Sequence, residues 1–148
     1  MKTVENRDWL KECLLWTKQE ESENCPMREL LDRIGDTWTL LIVLNLGAGK
    51  RRFSELRRQV NGISQRMLTQ TLRHLERDGM LIRTVYPTNP PSVEYQLTEL
   101  GFSMLDAIRA LIEWTAANQT EIAAARQAYD QKQKEFLESG ELAFTAPK

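Results

Sequence analysis

The stretch ISQRMLTQTLRHLERDGMLIRTVYPTNPPSVEYQLTE (residues 63–99) decides the fold. Its first half has the period of a helix that begins after Ser64, a favoured N-cap residue, and ends at Gly79. Its second half has the two-residue period of strands, interrupted by a tip at residues 87–91 whose prolines lack the N–H needed for strand pairing. The stretch therefore predicts one helix followed by a β-hairpin.

The sequence on either side predicts further helices and one short strand. The helices are an amphipathic one at 5–20, one from Cys25-Pro26 to Gly35, a largely buried one from Trp38 to Leu46, a short one from Ser54 to Val60, and a long one capped by Thr98. Arg52-Phe53 is predicted to form the short strand. This order is that of a winged helix-turn-helix, a mainly α fold with a small β-hairpin wing.

The chain has 148 residues, a length that fits one domain. We expect an N-terminal dimerisation helix (1–24), the winged helix-turn-helix (25–98), a C-terminal dimerisation helix (99–137) and a frayed tail (138–148). The outer helices carry more apolar surface than a compact module covers, which favours a twofold interface beside an intramolecular core. The residues expected at the interface are Trp9, Leu10, Leu14, Trp16, Ile108, Ile112 and Trp114.

The charge of the chain is unevenly distributed. The net charge is −1, but residues 49–83 hold nine Lys/Arg against three Asp/Glu, and both flanking segments are acidic. Eight of the nine basic residues are arginine, which suits bidentate phosphate and guanine contacts better than lysine does. Because this block coincides with the predicted helix-turn-helix, it indicates a surface for a polyanion rather than an ordinary solvated face.

The helix after Ser64 has an inward leucine face and an outward polar face that can enter the major groove of DNA. The outward face offers arginine for guanine, glutamine for adenine and a threonine methyl for thymine. The expected base-reading residues are Gln65, Arg66, Thr69, Gln70 and Arg73. The alternative is an ordinary amphipathic surface helix, against which the hairpin and the basic block argue.

Contacts to the DNA backbone are expected from the basic block, the start of the same helix and the wing. The free N–H groups of the helix start suit a phosphate. The tip from Pro87 to Ser92 carries no charge, so wing contacts are expected to be weak, polar or absent. The expected phosphate or wing residues are Arg51, Arg52, Arg57, Arg58, Ser64, Arg83, Asn89 and Ser92.

The sequence resembles the HxlR-type regulators, relatives of the MarR-like winged helix proteins. The matching stretches lie within roughly residues 25–120 in unbroken order: Cys25-Pro26, 34–42, 52–56, 62–72, 75–79 and 90–101. The resemblance implies a homodimeric bacterial transcription regulator whose helix after Ser64 enters the major groove and whose N- and C-terminal helices form the dimer. Family members commonly have a basic residue at the position of Ser92 and lysine at that of Thr37, so those contacts do not carry over directly.

Two cysteines, Cys13 and Cys25, are too few for a disulfide scaffold and indicate reduced thiols in a cytoplasmic protein. Some relatives sense oxidants or electrophiles through the cysteine of the Cys-Pro pair. Cys25 stands at a predicted helix N-terminus, where the dipole favours a thiolate, although nearby glutamates oppose it. A redox sensor and an inert packing cysteine are therefore both consistent with the pattern.

Several classes of function are not predicted. The single histidine, His74, has no partner residues at metal-ligand spacing, and no nucleophile-base set or phosphate-binding glycine loop appears, so we expect no metal, no cofactor and no enzyme. No apolar run is long enough for a membrane span. The expected partners are double-stranded DNA and a second copy of the chain, while no pattern specifies a small-molecule effector. The alternative function is a winged-helix protein-interaction module without sequence-specific DNA binding.

Overall fold

A computed structural model of the protein describes residues 8–18 and 26–140. In chain order its elements are α1 (Asp8–Lys18), α2 (Pro26–Ile34), α3 (Thr37–Gly47), β1 (Arg51–Arg52), α4 (Phe53–Gln59), α5 (Gln65–Arg77), β2 (Leu81–Tyr86), β3 (Ser92–Leu97) and α6 (Glu99–Glu138). The predicted fold class, a mainly helical winged helix-turn-helix, is confirmed. The predicted ends of the first helix, residues 5–7 and 19–20, lie outside the described residues.

The boundary between β1 and α4 differs by one residue from the prediction. We expected strand pairing at Arg52-Phe53 and a helix from Ser54, whereas the strand is Arg51–Arg52 and the helix already includes Phe53. The backbone N–H of Arg52 donates to Glu55 Oε2 at 2.8 Å, the bond that a glutamate in the first turn makes to a helix N-cap. This local bond makes Arg52 the N-cap residue, so that α4 begins at Phe53.

The wing is part of a three-stranded antiparallel sheet with strand order β1-β3-β2. In the hairpin, Leu81 pairs with Leu97, Arg83 with Tyr95 and Val85 with Val93. Leu81, Tyr95 and Leu97 are buried, so this side of the sheet faces the core at the base of the hairpin. Toward the tip the wing is exposed on both faces of β2.

The core is built on α3 and α5. Helix α3 buries Thr39, Ile42, Val43 and Leu46, and α5 buries Leu68, Thr71, Leu72 and Leu75. On α5 these buried positions recur every three or four residues, which leaves the opposite face of the helix free. The core therefore fixes the position of α5 while keeping its polar face exposed.

Both ends of α5 are capped. Ser64 Oγ accepts the N–H of Met67 at 3.1 Å, as predicted for the N-cap. At the other end, Gly79 has φ 72°, a left-handed conformation that allows the chain to leave the helix toward β2. The C-cap residue Asp78 also accepts a 2.7 Å bond from Arg33 Nη1, an ion pair that ties the end of α5 to α2.

The start of α6 is held against the end of the helix-turn-helix. Thr98 Oγ1 accepts the N–H of Gly101 at 3.2 Å and donates to the carbonyl of Gly79 at 2.6 Å. The N–H of Thr98 donates to the carbonyl of Met80 at 3.0 Å. Thr98 thus caps α6, as predicted, and also joins the end of β3 to the turn after α5.

The chain forms two compact units, Met1–Leu105 and Asp106–Lys148. The first contains the helix-turn-helix, the sheet and the first turns of α6. The described part of the second is the rest of α6, whose exposed apolar side chains include Ile112, Trp114, Tyr129 and Phe136. Most of the tail that we expected from residue 138, namely 141–148, lies outside the described residues, and the single-domain organisation stays a prediction.

Candidate nucleic-acid interface

The outward face of α5 forms one continuous polar surface. Because residues four apart on a helix lie one above the other, the sequence places Gln65, Thr69 and Arg73 in one row and Arg66, Gln70 and His74 in the next. The structure brings all five expected base-reading residues into one shallow concavity together with His74 and Arg77, and that concavity is lined by Gln65, Arg66, Thr69, Gln70, Arg73, His74 and Arg77. This surface is hereafter the α5 polar face.

The sequence analysis did not include His74 and Arg77 in this surface. The signal was available, because each follows a predicted member by four residues (Gln70 and Arg73, respectively) and so continues the same rows. The α5 polar face thus extends from the first turn of the helix to its last.

Helix α4 contributes to the N-terminal end of this face. Arg57 Nη1 donates to Gln65 Oε1 at 3.3 Å, which links the two helices of the helix-turn-helix through side chains. Thr69 Oγ1 donates to the carbonyl of Gln65 at 2.9 Å, so its hydroxyl hydrogen is already used, while its methyl group is available to a thymine methyl. Arg57, expected as a phosphate contact, therefore also holds a side chain of the reading helix.

The arginines of the basic block have no acidic partners. Across the part of the chain that the structure describes, no ion pair involves an arginine between residues 49 and 83. The arginines of that block are Arg51, Arg52, Arg57, Arg58, Arg66, Arg73, Arg77 and Arg83. Their charge is consequently available to an external anion rather than neutralised within the fold.

A second cleft lies between α5 and the inner side of the sheet. Its lining combines two arginines with an apolar floor: Phe53, Thr69, Leu72, Arg73, Glu76, Arg83, Val93 and Tyr95. Arg73 and Thr69 belong to both this cleft and the α5 polar face. Sequence reasoning separated Arg73 from Arg83, because only the strand register places them beside one space.

The tip of the wing offers few accessible polar side chains among those expected to contact DNA. The tip is folded on itself, with Thr88 Oγ1 donating to the carbonyl of Pro90 at 2.8 Å. Asn89 is exposed, whereas Ser92 Oγ is buried and, among the described residues, has no hydrogen-bond partner. Of the two polar wing residues expected to contact DNA, Asn89 is therefore the one whose side chain is accessible.

The residues expected at a dimer interface differ in exposure. Trp9, Leu14, Ile112 and Trp114 are large apolar side chains that are 46–59% exposed in the single chain, and Leu10 is partly exposed. Ile108 is only 2% exposed and so is already covered within one chain. The side chain of Trp16 and all of Cys25 lie outside the described residues, while Cys13 is a free, partly exposed thiol.

Neither a metal centre nor a membrane span is found where the structure describes the chain. Residues 8–18 and 26–140 contain no cluster of three His, Cys, Asp or Glu side chains suited to a metal ion. None of the described helices combines the length and apolar character that crossing a bilayer requires.

Comparison with known proteins gives one consistent result. The family described as HxlR-like helix-turn-helix matches residues 33–123. The HTH-type transcriptional regulator YtfH of Escherichia coli strain K12, whose role is uncharacterised, is 45% identical over 105 residues, which cover 71% of this chain and 83% of the relative.

Solved structures agree with this assignment. YtfH from Salmonella typhimurium is 44% identical, with a TM-score of 0.66 over 72% of this chain and 95% of that chain. The redox regulator HypR in its reduced form is 40% identical, with a TM-score of 0.61 over 67% of this chain and 98% of that one. The chain belongs to the HxlR-like helix-turn-helix family of transcriptional regulators.

Proposed function

We propose that this regulator binds duplex DNA sequence-specifically as a homodimer, with the α5 polar face in the major groove. The observation that carries the proposal is the composition of that face. Gln65, Arg66, Thr69, Gln70 and Arg73 lie on one exposed surface of a helix whose opposite side is locked into the core. Glutamine, arginine and threonine are the side chains that read the edges of adenine, guanine and thymine, respectively.

The basic residues around α5 supply the sequence-independent part of binding. Contacts to phosphates fix the register and orientation of the protein on the duplex, while base contacts specify the sequence. Unpaired arginines from β1, α4 and β2 surround the reading helix, and Ser64 lies at its N-terminus beside free backbone N–H groups. The proposed phosphate and wing contacts are Arg51, Arg52, Arg57, Arg58, Ser64, Arg83 and Asn89.

A homodimer explains the exposed apolar side chains of α1 and α6. Four large apolar side chains face water in the single chain, and their exposure is unfavourable: Trp9, Leu14, Ile112 and Trp114. A twofold interface through them presents two copies of α5, and two reading helices require half-sites about one helical turn, roughly 34 Å, apart. The matching operator is pseudo-palindromic.

Replacing Arg66 with alanine tests the base-reading role of the α5 polar face. We expect the affinity for a site selected from random duplexes to fall by about 1–3 kcal/mol, with the preference at one base pair of each half-site relaxed. Fluorescence anisotropy on the selected site and on its single-base variants measures both effects. Arg28→Ala, which removes the same charge from an exposed position on α2, is the matched control. Unchanged preference at every base pair in Arg66→Ala would exclude Arg66 as a base-reading residue.

Thiol modification at Cys25 is proposed as a second layer of control. The specific support is the likeness to HypR, a redox regulator, together with the position of Cys25 directly before the first residue of α2. Release of the selected DNA by hypochlorite or a quinone is expected in the wild type and not in Cys25→Ser. Equal release from both proteins would rule out Cys25 as the sensor.

A further inference from the structure

Arg83 lies on the side of the sheet where an arginine is least expected. Side chains alternate along a strand, so Arg83 shares its side with Leu81, and its cross-strand partner is Tyr95. Leu81 and Tyr95 are both buried, so this side faces the core at the base of the hairpin. Yet Arg83 itself is exposed and has no acidic partner among the described residues.

Arg73 reaches the same cleft from the opposite wall. Thr69, Leu72, Arg73 and Glu76 follow one another at spacings of three, one and three residues, which places them along the flank of α5 that faces the sheet. Arg73 is also exposed and without an acidic partner in the part of the chain that the structure describes. Two guanidinium groups that form no ion pair among the described residues thus border one cleft, one on the helix and one on the wing.

The cleft suits an oxyanion better than a base edge. Glu76 also lines the cleft but lies beyond ion-pair distance of either arginine. The formal charges of Arg73, Arg83 and Glu76 sum to +1. The cleft has a partly apolar floor, formed by Phe53, Leu72, Val93 and Tyr95. The low polarisability of these side chains strengthens a charge-charge interaction above the floor. The guanidinium groups of Arg73 and Arg83 are forked donors on different walls of the cleft, and two such donors match the tetrahedral oxygens of a phosphate. The planar edge of a base, by contrast, accepts the two bonds of only one guanidinium group.

We propose that Arg73 and Arg83 together bind a single phosphate of the DNA backbone. This rests on the proposed DNA-binding function and assigns Arg73 to a phosphate rather than to a base. The phosphate would join the C-terminal half of α5 to β2, so that the wing is fixed to DNA at its base and not at its uncharged tip. The contact would lie directly beside the base-reading residues, since Thr69 borders both the cleft and the α5 polar face.

A scan with methylphosphonate linkages tests this assignment, because each such linkage replaces one charged phosphate by a neutral group. The duplex is the site selected by the wild-type protein, and each linkage in one half-site is neutralised in turn. We expect one linkage at which the wild type loses about tenfold or more in affinity, and at which Arg73→Ala and Arg83→Ala each lose clearly less, because one of the two arginines that hold this phosphate is already missing. Both variants should keep the wild-type base preference.

The results separate this inference from the function on which it rests. If the wild type selects no site, DNA reading itself fails. If the wild type selects a site but Arg73→Ala relaxes the preference at a base pair, then Arg73 reads a base, and the assignment of Arg73 and Arg83 to one shared phosphate is wrong. If the two variants become insensitive to different linkages, each arginine holds its own phosphate, and the inference is again overturned. Circular dichroism melts of both variants check that the fold is intact. In the same titrations, Arg83→Lys is expected to keep part of the affinity that Arg83→Ala loses, because lysine keeps the charge.

Discussion

Alanine at position 101 is expected to destabilise the protein by about 3 kcal/mol, the upper range for forcing an added group into a packed site. A Cβ on Gly101 would lie 2.1 Å from the carbonyl oxygen of Met80 and 3.0 Å from Leu97 Cδ2. The first of these atoms is backbone and is held by the N–H of Thr98, so it cannot move without breaking the junction between the wing and α6. The helix-propensity gain of about 1 kcal/mol for alanine over glycine is too small to offset this clash.

Urea unfolding followed by circular dichroism measures the effect, and Gly47→Ala is a matched control. A Cβ on Gly47 would meet Leu105 Cδ1 at 2.9 Å, but that atom is the end of a flexible side chain that can shift. We therefore expect a clearly smaller loss for Gly47→Ala than for Gly101→Ala. A Gly101→Ala protein as stable as the wild type would show that the start of α6 is not packed against Met80 as described.

The affinity for DNA is expected to fall by about a thousandfold or more between 50 and 200 mM salt, as it does for proteins that neutralise six or more phosphates. The expectation follows from the unpaired arginines around α5, which are doubled in a homodimer. Each arginine lost from a phosphate contact should lower the slope of log affinity against log salt by about one per protomer. Arg57→Ala and Arg58→Ala should therefore flatten the slope more than Arg28→Ala.

The same salt series separates the proposed function from its main alternative. A winged helix that serves as a protein-interaction module would use an apolar surface whose affinity for its partner is nearly independent of salt. Anisotropy titrations of a fixed duplex at four salt concentrations are sufficient. A slope near zero would favour the protein-interaction module.

Local signals in the sequence predicted the helix-turn-helix correctly. Ser64 was recognised as an N-cap from its residue type, and the leucine spacing gave the buried side of α5; both are properties of neighbouring residues. Thr98 was recognised as a cap in the same way. What its sequence context did not reveal is the second bond of its hydroxyl group to Gly79, which lies nineteen positions away.

The features that sequence reasoning missed depend on long-range geometry or on competition between local bonds. Phenylalanine is common in strands, which favoured a strand at Phe53, but the bond from the N–H of Arg52 to Glu55 starts α4 at this residue. The cleft that Arg83 shares with Arg73 was not predicted, because the side of the sheet that faces the core is fixed only by the pairing with β3. Ile108 belongs to an apolar stripe on α6, and periodicity alone does not show that one chain already covers it.

The most direct test of DNA reading by the α5 polar face is a selection of binding sites from random duplexes. It compares the wild type with a variant in which Gln65, Arg66, Thr69 and Gln70 are all alanine, while every other arginine is kept. The wild type is expected to enrich a single motif with two related half-sites, whereas the variant should still bind DNA at low salt but enrich no motif. Enrichment of the same motif by both proteins, or of none by the wild type, would contradict DNA reading by this face.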